Sequence, residues 1–204
     1  MSVNRSRPKA KRSRALGIAL TPKCVAYFER RPFPPGQHGR RRRGESDYRL
    51  RLLEKQRLRA QYNLREAQMK RAFAEAARRE GKTGDILVSL LERRLDAFVL
   101  RAGFARTIYQ SRQQVSHRHF LVNGRRVDKP SYRLRPGDVV EVAGRSRTKP
   151  PFQLAAAGAW AGEKTPSYVD SALPELRATL VAEPARAEVP VICDEQLVVE
   201  FYSR

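Results

Sequence analysis

The stretch HFLVNGRRVDKPSYRLRPGDVVEV, residues 119–142, decides the fold class, because its apolar residues change to the period of two that is typical of strands. The dipeptide Asn123-Gly124 lies between two short runs of this pattern and is the strongest short-range signal for a β-hairpin. A second turn is predicted at Pro136-Gly137-Asp138, followed by a strand over residues 139–142. The stretch therefore predicts a small antiparallel sheet.

Two short helices are predicted directly before this sheet. Asp96 is a candidate N-cap for a helix in AFVLRAG, which ends at Gly103. Thr107 and Gln110 have the spacing of a capping box and open a second helix in IYQSRQQVSHR. Residues 93–157 are therefore predicted to form one domain of two helices followed by a hairpin and a sheet.

Residues 46–92 are predicted to form a small helical domain. One helix covers SDYRLRLLEKQRLRAQY, a second begins at Asn63 as N-cap, and a third covers about residues 85–94. The expected class is thus α+β: this helical domain, the domain of two helices and antiparallel sheet, and an extended basic N-terminal arm.

The two ends of the chain carry weaker patterns. Residues 1–45 show little helical or strand periodicity and are interpreted as the extended arm, in which RRPFPPGQHGRRRRG (30–44) excludes regular structure. Residues 158–204 predict short strands and loops, with the terminal segment packing back on the body. Asp194 favours a helix in that segment, whereas LVVEFY favours a strand, so both remain open.

The net charge of +21 is the strongest functional signal, because self-repulsion at this level is relieved by a polyanionic partner. Residues 1–44 carry 13 Lys and Arg against one Glu, or +12, whereas residues 158–204 carry 4 against 8, or −4. The basic body is therefore predicted to face nucleic acid, and the acidic quarter to face protein or solvent.

The sequence contains no motif for several classes of function. The two cysteines are far apart, and the sequence has neither a P-loop nor a GxGxxG motif nor paired carboxylates. No metal, no other cofactor and no small-molecule substrate is expected, and the chain is not expected to be an enzyme. Because a disulfide framework, an apolar leader and a membrane-spanning run are also missing, a cytosolic protein without membrane contact is predicted.

Basic and polar side chains cluster on the second helix and the hairpin of residues 93–157. Three of them, Arg112, Gln113 and His117, can share one exposed helix face, beside a helix N-terminus that favours phosphate. The alternative is an ordinary solvated helix. The predicted RNA-contacting residues here are Arg106, Arg112, Gln113, His117, Arg118, Asn123, Arg125 and Arg126.

Residues 93–142 resemble the RNA-binding domain named after small ribosomal subunit protein four, which pseudouridine synthases and tyrosyl-tRNA synthetases share. Four further stretches resemble the bacterial ribosomal protein family itself: RRPFPPGQHGRRR, ESDYRLRLLEKQRLRAQY, REAQMKRAF and DEQLVVEFYSR. The resemblance covers nearly the whole chain, and it is weakest over residues 1–22 and 145–190.

The resemblance implies a structural constituent of the small ribosomal subunit in the cytoplasm that binds 16S rRNA directly. It further implies nucleation of subunit assembly, a contact with ribosomal protein five that contributes to translational accuracy, and a position close to mRNA. An RNA-modifying or tRNA enzyme that shares the domain, and a general nucleic-acid-compacting protein, are the alternatives.

The resemblance also implies a role for the N-terminal arm. Many members have a four-cysteine zinc site there, but only Cys24 matches it, so the chain resembles the zinc-free variety and RNA is expected to order the arm. His38 is interpreted as a stacking or hydrogen-bonding RNA contact and Arg40 to Arg43 as phosphate contacts. The predicted rRNA-binding residues in this part are Arg30, Arg31, Gln37, His38, Arg40, Arg41, Arg42, Arg43, Tyr48 and Arg49.

Overall fold

The computed structural model describes residues 8–39, 44, 46–160 and 165–203. The chain forms two compact units: unit 1 consists of Met1–Gly84 together with Val191–Arg204, and unit 2 of Asp85–Pro190. Helices and strands are both present, with an antiparallel five-stranded sheet, so the predicted α+β class is confirmed.

Unit 1 is helical in its described part. Its helices are α1 (Lys9–Leu16), α2 (Pro22–Arg30), α3 (Asp47–Gln61), α4 (Glu66–Ala76) and α10 (Glu195–Tyr202), and α5 (Thr83–Glu92) begins at its boundary with unit 2. The predicted basic arm and residues 46–84 of the predicted helical domain therefore belong to the same compact unit, whereas residues 85–92 belong to unit 2.

The arm is not extended over residues 9–30, which corrects the sequence prediction. Helix α1 is composed largely of Lys, Arg, Ala and Leu, which favour helices although they give no strong apolar stripe. Helix α2 has Pro22 in its first turn and ends at Arg30, since Arg31 precedes a proline and leaves the helical conformation with φ of −143° and ψ of 75°. Helix α1 has no apolar periodicity, and that of α2 extends over only nine residues, so the sequence analysis predicted neither helix.

The start of α4 also differs from the prediction. Asn63 is not its N-cap: with φ of 50° it lies in the left-handed region and closes the end of α3, where the amide of Leu64 donates to the carbonyl of Arg59 at 3.0 Å. Helix α4 begins three residues later, after Arg65.

The segment left open between helix and strand is helix α10. The carboxylate of Asp194 caps it by accepting from the amides of Gln196 and Leu197, at 3.0 and 3.3 Å. Helix α10 packs against α3 and α4, with Arg51 and Glu200 paired at 2.6 Å and the Phe73 and Tyr202 rings stacked at 4.9 Å.

Unit 2 contains most of α5, then α6 (Leu95–Arg101), α7 (Ile108–Ser116), β1 (Phe120–Val122), β2 (Arg125–Arg126) and β3 (Val139–Val142). After these come α8 (Gly144–Arg147), α9 (Pro150–Ala156), β4 (Val169–Ala172), β5 (Arg177–Leu180) and a 3₁₀ turn at Arg186–Glu188. The strand order is β2-β1-β3-β5-β4, so the sheet continues past residue 157 through the pairing of β3 with β5.

The hairpin forms at the predicted dipeptide. Asn123 and Gly124 have φ values of 49° and 77°, and positive φ at both positions is the geometry of a type I′ turn. Val122 pairs with Arg125 across it. The core behind the sheet is aromatic, with Phe98, Phe104, Phe120 and Phe152 all at most 1% exposed.

Helix α6 begins differently from the prediction. Arg94 occupies the cap position, and Asp96 lies one residue inside the helix. The Asp96 carboxylate is fully buried and accepts from Arg94 Nε and Nη2 at 2.9 and 2.8 Å and from the Ala97 amide at 3.1 Å. Asp96 therefore binds a guanidinium where the sequence indicated a cap.

A candidate nucleic-acid interface

Helix α7 presents one set of the predicted RNA-contacting residues. Thr107 Oγ1 accepts from the Gln110 amide at 3.2 Å, as the predicted capping box requires. The Gln110 side chain in turn accepts from the Arg106 amide at 3.0 Å, so Arg106 is held at the helix N-terminus. Arg106, Gln113 and His117 are exposed to solvent.

Arg112 does not share that full exposure, which corrects the expectation of an exposed face. Its side chain is 31% exposed, and its guanidinium lies 3.4 Å from the buried Asp96 carboxylate. Burial raises the pKa of Asp96, while the charges of Arg94 and Arg112 act in the opposite direction. Arg112 therefore links α7 to α6 and offers only part of its guanidinium to a ligand.

The hairpin carries the second set. Arg125 and Arg126 form β2 and are exposed. Arg118 is 64% exposed and pairs with Asp128 at 2.9 Å. The Asn123 side chain is occupied within the protein, since its Nδ2 donates to Asp138 at 2.8 Å and its Oδ1 accepts from the Val139 amide at 2.9 Å. Asn123 thus fixes the turn from which the two arginines extend.

The structure adds a group that the sequence analysis missed. His119 Nδ1 lies 2.8 Å from Ser146 Oγ in α8, and the His119 ring contacts the Phe152 ring at 5.5 Å. Burial lowers the pKa of His119, and the positive charges of Lys149, His117 and Arg145 lower it further. Arg145 and Lys149 are exposed, and their charges act on His119, which follows α7. The signal was available in RSRTKP, 145–150, which directly follows β3.

The structure describes only some of the predicted RNA contacts in the arm of unit 1. Arg30, Arg31, Gln37 and His38 are exposed, the last two in a turn closed by the Gly39 amide donating to Gly36 at 3.2 Å. Arg40, Arg41, Arg42 and Arg43 lie outside the described residues.

The two predicted RNA contacts at the start of α3 differ in their exposure to solvent. Tyr48 is 57% exposed, with its ring 5.9 Å from that of Phe201. Arg49 is half-buried and donates to the Gly44 carbonyl at 3.1 Å.

Comparison with known proteins agrees with this basic architecture. Residues 4–92 match the family described as Ribosomal protein S4/S9 N-terminal domain, and residues 93–140 match the S4 domain. "Small ribosomal subunit protein uS4" of Streptomyces griseus is 62% identical over 202 residues, which is 98% of this chain and 99% of the relative. The chain belongs to the uS4 family.

Other uS4 proteins are similar over the same extent. The protein of Paenarthrobacter aurescens is 62% identical over 201 residues, 98% of each chain, and that of Micrococcus luteus is 61% identical over 208 residues, the full length of both. The family resemblance seen in the sequence is thereby confirmed. These uS4 relatives are named as ribosomal proteins and not as enzymes, as predicted for this chain.

The described part of this uS4 chain contains no group of three or more His, Cys, Asp or Glu side chains that could hold a metal. Cys24 is buried, and the Thr21 hydroxyl donates to its Sγ at 3.0 Å. Among the described helices, none combines the length and the apolar composition that crossing a membrane requires.

Proposed function

We propose that the chain is a structural constituent of the small ribosomal subunit that binds 16S rRNA through exposed basic surfaces in both units. The observation that carries this proposal is the surface formed by α7 and the β1–β2 hairpin. It presents Arg106, His117, Arg118, Arg125 and Arg126 to solvent from backbone segments whose caps and turn are hydrogen-bonded. A rigid cationic surface of this kind suits the phosphates of a folded RNA.

The charge distribution supports the same partner. Residues 1–44 contribute +12, which suits a long contact with RNA phosphates. All eighteen predicted contact residues, including Asn123 and Arg112 with their internal partners, remain proposals for rRNA binding. We add His119, Arg145 and Lys149 to the proposed surface in unit 2, because Arg145 and Lys149 are exposed and their charges act on His119.

The finer roles follow from family membership. We infer that the chain binds early and nucleates assembly of the subunit body, contacts ribosomal protein five, contributes to translational accuracy and lies close to mRNA in the cytoplasmic ribosome. The net charge of −4 over residues 158–204 supports a protein neighbour for that region, since it would repel RNA.

The direct test is chemical footprinting of 16S rRNA by the full chain, with affinity measured against salt and against excess duplex DNA. A shape-specific footprint that survives the DNA is expected, and its loss would leave only general nucleic-acid compaction. The double variant Arg125→Gln/Arg126→Gln should lower the slope of log affinity against log salt by about 0.9 for each lost phosphate contact.

A matched control removes the same charge from the same unit. Arg177 is exposed and pairs with Glu141 at 3.7 Å, and Arg186 lies in the acidic region. The variant Arg177→Gln/Arg186→Gln should leave the salt slope unchanged. If both double variants lower the slope equally, net charge rather than the hairpin surface determines binding.

A further inference from the structure

Unit 1 contains a cleft bounded by α1, α2 and the segment that follows α2. Its volume is about 590 Å³, which lies within the range of about 300 to 1,000 Å³ that is usual for pockets binding small molecules. Most of its lining surface is apolar, and the lining includes Pro35 and Tyr27. The cleft is therefore large enough for one planar group.

The charge around the cleft is entirely positive. Lys11, Arg14, Arg30 and Arg31 line it, and no carboxylate of the described residues does. Within the described part of the chain, the side chains of Lys11, Arg30 and Arg31 make no hydrogen bond or ion pair. Three cations are thus available to an anion that enters the cleft.

Arg14 holds the cleft in shape. Its Nε donates to the carbonyls of Arg31 and Phe33, at 3.0 and 3.1 Å, and its guanidinium lies 5.0 Å from the centre of the Phe33 ring. These contacts attach the segment after α2 to α1. The opening is therefore held in the free chain by these few local contacts.

Tyr27 adds an exposed aromatic side chain to the cationic lining of the cleft. It is 50% exposed, although a large aromatic side chain on a short helix gains from burial, and it is part of the lining. An exposed aromatic ring beside several cations is the combination on which unpaired bases stack while their phosphates are neutralised. An apolar or acidic peptide would satisfy only one of these two features.

We propose that this cleft binds a single unpaired nucleotide of the rRNA. The base stacks on Tyr27, and Lys11, Arg30 and Arg31 contact the adjoining phosphates. The proposal rests on the proposed rRNA-binding function and gives the arm a nucleotide-sized site, in addition to contacts along the RNA backbone.

The test uses the full chain, 16S rRNA and four variants. Tyr27→Ala removes the ring, Tyr27→Leu keeps apolar bulk without stacking, and Tyr27→Phe keeps stacking without the hydroxyl. Val25→Ala is the matched control, because Val25 is 43% exposed on the same helix and does not line the cleft. Affinity is measured together with the chemical reactivity of unpaired bases in the complex.

Tyr27→Ala and Tyr27→Leu should each weaken rRNA binding about 10-fold and restore the reactivity of one or two unpaired bases, with the rest of the footprint unchanged. Tyr27→Phe and Val25→Ala should bind within about 2-fold of the unaltered chain. If the unaltered chain leaves no footprint, the proposed function fails. If the unaltered chain leaves a footprint that Tyr27→Ala does not change, the nucleotide site alone is overturned. The same conclusion holds if Tyr27→Ala loses contact with a protein neighbour but keeps the rRNA footprint.

Discussion

The arm of unit 1 (residues 8–39) and unit 2 both present exposed cations, but the buried cores that support these cations differ. In unit 2 the cations project from elements packed around a core that contains four buried phenylalanines. In the arm, the buried cluster consists of Leu16 and Ile18 against Ala60, with Leu20 and Leu53 partly buried beside it. Unit 2 therefore offers RNA a preformed surface, whereas the arm depends on few contacts and gains more order from binding.

Hydrogen exchange should show the largest difference between the two regions. Backbone amides of α1 and α2 are expected to exchange more than about 100-fold faster than those of β1 and β3, because local opening free energies fall with buried apolar contact. Helix α3 is the control within unit 1, since Leu58 and Ala60 are fully buried. Addition of 16S rRNA should slow exchange in the arm more than in unit 2. Equal protection of arm and sheet in the free protein would contradict the comparison.

Asp96→Ala should produce the largest stability change within unit 2. It leaves the buried Arg94 guanidinium without its carboxylate and removes the ion pair with Arg112, and breaking a buried pair costs about 3–5 kcal/mol. Urea unfolding measures this loss. Asp128→Ala, which breaks the exposed pair with Arg118, should cost less than about 1 kcal/mol. Similar losses from both variants would mean that the Asp96 network does not support the α6–α7 pair.

Gly124→Val tests the hairpin on which Arg125 and Arg126 lie. Its φ of 77° is left-handed, so a β-branched side chain should cost about 1–2 kcal/mol and weaken rRNA binding. Gly144→Ala is the control, because its added Cβ meets no atom within 4 Å and its φ is not in the left-handed region. Thermal unfolding and affinity are compared for the two variants. An unchanged affinity in a destabilised Gly124→Val chain would separate the hairpin from the binding surface.

The smallest change in stability is expected from lowering the pH, through the carboxylate of Glu66 in unit 1. Burial acts to raise the pKa of Glu66, but hydrogen bonds from Tyr202 and Lys55 and the charges of Lys55 and Arg59 lower it below its ordinary 4.5. Because the folded-state pKa is the lower one, the contribution of Glu66 is present above pH 4.5 and is lost as pH falls through the folded-state pKa. With this side chain 45% exposed, the loss should stay below about 1 kcal/mol.

The pH dependence is measured as the difference in unfolding free energy between the unaltered chain and Glu66→Gln, from pH 7 to pH 3. The difference should shrink on acidification. A difference that grows as the pH falls would show that the Glu66 carboxylate is not stabilised in the folded chain.

The sequence predicted the hairpin and the start of α7 well because their signals are local. Asn-Gly fixes a turn type, and Thr107 with Gln110 fixes a helix start, so a few neighbouring residues determine the geometry. The exposure of Arg112 was not predictable in this way. It depends on Asp96, sixteen residues earlier, which is buried by tertiary packing that periodicity does not reveal.

The arm was predicted poorly for the opposite reason. Helix α1 contains many Lys and Arg residues and has no apolar stripe, whereas α2 has one over only nine residues and buries only Cys24. The charged residues themselves were still recognised as candidates, since composition identifies a polyanion-binding region without its backbone path. The cleft beside Tyr27 requires that path and could not be predicted.

Helix α10 has a consequence for the order in which the chain can fold during synthesis. It follows unit 2 in the chain, yet it packs on α3, and the Arg51–Glu200 pair joins residues 149 positions apart. A ribosome synthesising this chain therefore releases all of unit 2 before unit 1 can acquire its last helix. Residues 85–190 can complete their contacts while α3 still lacks α10, so the region translated later can reach its native packing first.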